Sequence, residues 1–216
     1  MIKAGRAGCR PSPAPAVPGV QAEMMVIPAG GQERRLVTDA LLPADDPLPD
    51  GCGTCDRCLT SCPTDAIVAP GVIDARRCLA WLVQARGVFP PEHRVALGDR
   101  IYGCDDCQLF CPWNKFASLT AEDDFLPRHS LDSAKLTELF SWSEDDWLER
   151  TRGSAIRRIG FERWLRNIAV ALGNAKTGKD VTAALRNRRD SSTVLVREHI
   201  DWALARHENN TAQGET

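Results

Sequence analysis

The spacing of the cysteines constrains this chain more than any other feature. Residues 52–63 read C-G-T-C-D-R-C-L-T-S-C-P, which places Cys52, Cys55, Cys58 and Cys62 in a C-x2-C-x2-C-x3-C-P run closed by Pro63. Cys78 stands alone. Cys104, Cys107 and Cys111 then follow in C-D-D-C-Q-L-F-C-P, closed by Pro112. Eight of the nine cysteines therefore form two groups of four, the ligand count of two [4Fe–4S] clusters. The first run has the spacing of bacterial ferredoxins. Cys9 sits in a Pro/Gly-rich leader and reads as a bystander.

The spacing has a physical reason. A cubane needs a thiolate at each iron corner. Two-residue gaps let one tight loop supply three sulfurs while its N–H groups turn toward the cluster. A three-residue gap carries the fourth cysteine away, and in two-cluster ferredoxins that cysteine binds the other cluster. The expected ligands are therefore Cys52, Cys55, Cys58 and Cys111 for the first cluster. Cys62, Cys78, Cys104 and Cys107 are expected to hold the second. Zinc prefers paired C-x2-C knuckles and fits this run poorly. A disulfide scaffold suits a short secreted domain, and these 216 residues carry no apolar signal segment.

Charge is unevenly distributed. The formal net charge is only −2, but residues 120–149 hold nine acidic side chains against Arg128 and Lys135. Residues 150–189 then hold eleven basic side chains against Glu162 and Asp180. A local excess of this kind is an electrostatic footprint for a polyanion, and nucleic acid is the expected partner. A solvated helix face that offsets the acidic stretch is the alternative. No run of 18 apolar residues exists, so no transmembrane helix is expected. Thiolate-bound clusters need a reducing compartment, which points to the cytoplasm.

Residues 1–35 read as a flexible leader, because prolines alternate with Ala and Gly and no periodicity survives. Residues 36–118 form the expected two-cluster, ferredoxin-like domain, with a short strand in 36–50 and a helix over 75–86 capped by Asp74 and stopped at Gly87. Residues 119–210 read as a basic helical domain, and 211–216 as a tail. Ser143 and Asp146 make a capping box. Phe161, Trp164, Leu165, Ile168, Ala169 and Leu172 form an apolar stripe at helical spacing, ended by Gly173-Asn174. Asp180 and Ser192 are expected to cap two further helices. Helices of about a dozen residues joined by short turns suggest HEAT-like pairing. The expected fold class is α+β, mostly α.

Chemistry beyond electron transfer has no obvious carrier. His93, His129, His199 and His207 are scattered and read as surface or satisfied histidines. No Gly-rich nucleotide loop follows a strand.

Several ordered stretches together resemble epoxyqueuosine reductase. They are D-G-C-G-T-C-D-R-C-L-T-S-C-P-T-D-A-I, D-A-R-R-C-L-A-W-L, G-D-R-I-Y-G-C-D-D-C-Q-L-F-C-P-W-N-K, G-S-A-I-R-R-I-G-F-E-R-W-L-R-N-I-A-V-A-L-G-N and S-S-T-V-L-V-R-E-H-I-D-W-A-L. They span roughly residues 36–207, whereas a plain ferredoxin accounts only for 52–112. The resemblance implies reduction of epoxyqueuosine to queuosine in tRNA, with two [4Fe–4S] clusters relaying electrons to cobalamin from a low-potential donor. It places Cys104 and Asp105 near cobalamin and Arg86 toward tRNA, alongside Arg157, Arg158, Arg163 and Arg166 of the basic block. No membrane partner is expected, and the chain is expected to be a monomer. Where family members carry Ser in the helix after the lone cysteine, this chain has Ala80. The family places its cobalamin domain and acidic proton donor before the first cluster motif, so no catalytic residue is expected here and the chain reads as the C-terminal part of such an enzyme. The competing readings are a stand-alone electron-transfer module and a reductive-dehalogenase-like protein.

Overall fold

The computed structural model describes residues 23–26, 34–37, 52–117 and 126–214. Two strands come first, β1 (Glu23–Val26) and β2 (Arg34–Val37), paired antiparallel with Glu23 opposite Val37. β2 reaches two residues into the segment expected to hold a strand; the rest of that segment, and Cys9, lie outside the described residues.

The described residues fall into two compact units. One contains residues 62–105 together with 127 onward, and the other contains both strands, residues 52–61, 106–117 and Leu126. The division therefore runs through the cysteine region.

The larger unit begins with a small hairpin, β3 (Ile67–Ala69) and β4 (Val72–Ile73). α2 (Leu79–Leu82) and α3 (Pro91–Leu97) follow. Then come α5 (Leu136–Ser141), α6 (Glu144–Arg150), a 3-10 turn (Ala155–Ile159), α7 (Gly160–Asn174), α8 (Lys179–Arg189) and α9 (Val194–Gly214). The smaller unit holds α1 (Arg57–Thr60), α4 (Asp106–Leu109) and a 3-10 turn (Pro112–Phe116).

α7 is the centre of the larger unit, packing against α3, α5, α8 and α9. Its expected apolar stripe is realised: Trp164, Leu165, Ile168, Ala169 and Leu172 are buried and Phe161 is half-buried. Each fully buried side chain of this size contributes about 1.5–3 kcal/mol relative to exposure. Trp164 stacks on Trp142 with ring centroids 5.8 Å apart. α7 ends on Asn174, as expected, with Gly173 inside its last turn. A Cβ there would stand 2.5 Å from the Trp202 ring and 3.0 Å from Ala203 Cα, so glycine lets α7 and α9 approach closely.

The capping box on α6 is present as expected: Asp146 N–H donates to Ser143 Oγ at 3.1 Å, and Ser143 N–H donates to the Asp146 carboxylate at 3.0 Å. Three helix starts differ from expectation. The helix expected over 75–86 is only the single turn of α2, with Cys78 at its N-cap. Asp74 instead accepts from Arg76 N–H at 3.1 Å in a local turn that precedes it. α8 starts from Gly178, with Asp180 inside its first turn. α9 is capped by Thr193, whose hydroxyl accepts from Val196 N–H, while Ser192 Oγ donates back to Arg188 O at 2.8 Å.

Candidate cluster-binding site and basic surface

In the smaller unit, Cys52 and Cys55 are exposed and Cys58, Cys107 and Cys111 are half-buried. Gly53 takes φ +55°, a left-handed conformation that glycine adopts without strain. It lets the loop close with Cys55 N–H donating to Cys52 O at 3.1 Å. Cys58 rides on α1, which packs against α4, the helix that carries Cys107. Cys111 ends that segment, its carbonyl accepting from Asn114 N–H at 3.0 Å. All four expected ligands of the first cluster, Cys52, Cys55, Cys58 and Cys111, thus belong to this unit.

In the larger unit, Cys62, Cys78 and Cys104 are half-buried. The Cys62 sulfur accepts from Ala66 N–H at 3.2 Å and lies 3.8 Å from the Thr64 hydroxyl. Burial pushes this thiol up, but hydrogen bonds from Thr64, Ala66 and Ile67 outweigh it and hold it below its ordinary value. A lowered thiol is the form a metal centre takes, since the thiolate is the ligand. Thr64 also donates to Arg77 O at 2.6 Å, which joins the Cys62 loop to the residue before Cys78. Cys104 packs on the apolar cluster of Leu79, Leu82, Val83, Phe89, Leu97 and Val170, the same cluster that buries α2. Among the described residues no three His, Cys, Asp or Glu side chains converge as on a single metal ion. The donor set nevertheless suits cubanes: Cys55, Cys58, Cys62, Cys78 and Cys111 lie in no disulfide, and a half-buried sulfur accepts a backbone N–H.

The stretch between Cys78 and Cys104 is fastened to the helices. Asn167 donates to Val83 O and Ile101 O, both at 2.9 Å. Asn174 donates to Arg94 O at 2.7 Å and Gly98 O at 3.1 Å. Arg163 Nη1 donates to Gln84 O at 2.7 Å.

Arg166 requires a correction. Expected to face tRNA, it is 0% exposed. Its guanidinium donates to Ala85 O and Gly87 O at 2.7 Å and to Leu82 O and Val83 O at 3.1 Å. It also reaches the Asn167 side chain at 2.8 and 3.0 Å. The position belongs to the buried face of α7, so no phosphate can reach it. Helical spacing places Arg166 off the apolar stripe; it is buried because the span from Leu82 to Gly87 covers that side of α7 as well.

The rest of the basic block divides in the same way. Arg152 pairs with Glu149, Arg189 with Asp201, and Arg150 lies over the Trp142 ring. Arg188 donates to Phe140 O and Trp142 O, and Arg163 to three carbonyls. Arg157, Arg158, Lys176, Lys179 and Arg186 are exposed, as is Arg86 on the loop between Ala85 and Gly87. His199 and His207 are buried and hydrogen-bonded, as expected of satisfied histidines. No helix among the described residues is long and apolar enough to cross a membrane.

A cysteine-rich unit and a helical core that captures half of the cysteine segment define a ferredoxin-type, double-cluster protein with a helical extension. Residues 51–114 match the family described as "4Fe-4S double cluster binding domain". The chain is 57% identical over 170 residues to the epoxyqueuosine reductase of Xanthomonas campestris pv. campestris, covering 78% of this chain and 48% of the relative. It is 54% identical over 171 residues to that of Escherichia coli, covering 79% and 45%. The solved epoxyqueuosine reductase of Bacillus subtilis superposes with a TM-score of 0.75 at 28% identity, covering 85% of this chain and 50% of that one. An epoxyqueuosine reductase solved with an epoxyqueuosine-modified tRNA-Tyr stem loop gives 0.74 at 29%, covering 80% and 46%. Over the matched residues the chain is similar to epoxyqueuosine reductases. It spans about half the length of the curated relatives it matches.

Proposed function

We propose that this chain carries the electron-relay and RNA-facing part of an epoxyqueuosine reductase, which reduces epoxyqueuosine to queuosine in tRNA. The observation that carries the reading is the pairing of both cysteine motifs with the helical core over the full matched length. The first cluster is assigned to Cys52, Cys55, Cys58 and Cys111. The second is assigned to Cys62, Cys78, Cys104 and Cys107, the last by spacing alone. Removing the epoxide oxygen as water takes two electrons and two protons, and each cluster passes one electron at a time.

Cobalamin, when bound, supplies the cobalt to which those electrons are relayed. Cys104 and Asp105 are the residues proposed to lie near it; Gly103, just before them, takes φ +76° and leaves open space where a Cβ would stand. Ala80, half-buried on α2, adds no hydroxyl. Arg86, Arg157 and Arg158 are the cations proposed to face tRNA, with Arg163 partly engaged by backbone carbonyls. The reading includes a low-potential electron donor, a cytoplasmic location and a monomeric state.

The test is turnover. The anaerobically reconstituted chain, cobalamin and a low-potential reductant are mixed with an epoxyqueuosine-modified stem loop. Loss of one oxygen atom by mass spectrometry is expected if the chain suffices. Stem-loop binding without conversion assigns the chemistry to residues outside it. Absence of both cobalamin binding and stem-loop binding defeats the reading in favour of a stand-alone electron carrier.

A further inference from the structure

The Arg166 guanidinium is a buried cation with no anion in contact among the described residues. Its N–H groups go to neutral acceptors, the four backbone carbonyls and the Asn167 side-chain oxygen. Glu162, one turn earlier on α7, attracts it weakly and itself accepts from Thr193. Burial pushes its pKa down to about 10, so it stays charged at neutral pH. A buried charge is poorly screened, and its field reaches further than that of a surface arginine.

That charge stands beside a ligand segment. Arg166 Nη2 donates to Leu82 O at 3.1 Å, and Leu82 N–H donates to Cys78 O at 2.9 Å. A single residue thus links the guanidinium to a ligand cysteine through hydrogen bonds on either side. Cys104 packs on the apolar cluster to which Leu82 belongs. A cubane held by four thiolates is an anion and gains a further negative charge on reduction. A fixed positive charge nearby stabilises the reduced form more than the oxidised form and raises the potential.

We propose that Arg166 is a positioning residue for the second cluster and sets its reduction potential, its buried charge beside the Cys78 segment favouring the reduced state. The inference rests on the two-cluster reading above.

The test compares wild-type, Arg166→Met, Arg166→Lys and Asn167→Asp forms of the full chain, reconstituted anaerobically and titrated with reductant under electron paramagnetic resonance. Iron and sulfide are counted first. A wild-type chain without about eight of each overturns the two-cluster reading, and this inference with it. With both clusters present, Arg166→Met is expected to move one of the two reduction waves to lower potential and leave the other in place, while Arg166→Lys moves neither. If Arg166→Met does not assemble both clusters, Asn167→Asp sets a carboxylate against the guanidinium and is expected to move the same wave in the same direction. Unmoved waves, equal movement of both waves, or loss of the clusters in both charge-cancelling variants overturns the proposal.

Discussion

The backbone N–H of Phe89 donates to Nε2 of His199 at 3.0 Å, across 110 residues of sequence. Because Nε2 accepts, the ring proton sits on Nδ1, which donates to Leu195 O at 2.7 Å. The imidazole is therefore neutral, and it closes the loop before α3 onto α9. Arg94 completes the junction, donating to Phe89 O at 3.0 Å and to the Glu198 carboxylate at 2.6 Å.

That junction predicts a pH dependence. Burial pushes the His199 pKa below its ordinary value, and the Leu195 carbonyl and Glu198 offset this only in part. The unfolded chain then binds a proton more readily than the folded one below about pH 6.5. Stability is present above that pH and falls as acid is added toward the folded-state pKa. Anaerobic urea titrations from pH 8 to pH 5 measure it. His199→Gln is expected to lose about 1–3 kcal/mol at neutral pH, by leaving buried partners unmet, and to flatten the acid limb. An unchanged limb in the variant assigns the dependence to other groups.

Gly173→Ala sets two effects against each other. Alanine gains up to about 1 kcal/mol of helix propensity. Its Cβ would stand 3.0 Å from Ala203 backbone, which cannot swing aside. Overpacking of this kind costs about 1–3 kcal/mol, so the steric effect wins and the melting temperature is expected to fall. A rise would show that α7 and α9 separate freely.

Cys62→Ala removes a sulfur that accepts from Ala66 N–H and lies in the larger unit with Cys78 and Cys104. The expected result is loss of the second cluster alone, with iron falling to about four per chain. Spectra that show loss of the first cluster instead refute the crossed ligand sets.

Arg157 and Arg158 are exposed on the 3-10 turn before α7. Replacing both with alanine is expected to weaken stem-loop binding and to lower the slope of log affinity against log salt by about 1 to 2. The fold should survive, since both side chains are exposed. An unchanged slope removes this turn from the RNA interface.

Local rules read from the sequence succeeded where one residue's neighbours decide the outcome. The Ser143–Asp146 box and the α7 stripe depend on spacings of three and four, and both stand. The helix expected over 75–86 failed because the chain after Leu82 turns its carbonyls to Arg166 and Asn167, more than eighty residues away. Neither Asp180 nor Ser192 caps its helix, because a neighbour, Gly178 or Thr193, occupies the position. The basic block was visible as charge, but a count of arginines does not separate those that bind water from those that hold the fold together. Arg166 and Arg188 make that difference, and only tertiary contacts reveal it.

Asn167, Asn174 and Arg166 sew the span from Leu82 to Ile101 onto α7. An engineer who wants a short electron carrier from this chain cannot obtain one by cutting after Ala117. Such a cut unpicks the seam that holds the Cys78 and Cys104 loops in place; a piece that keeps it must include α7, and α9 for the Phe89–His199 and Arg94–Glu198 bonds.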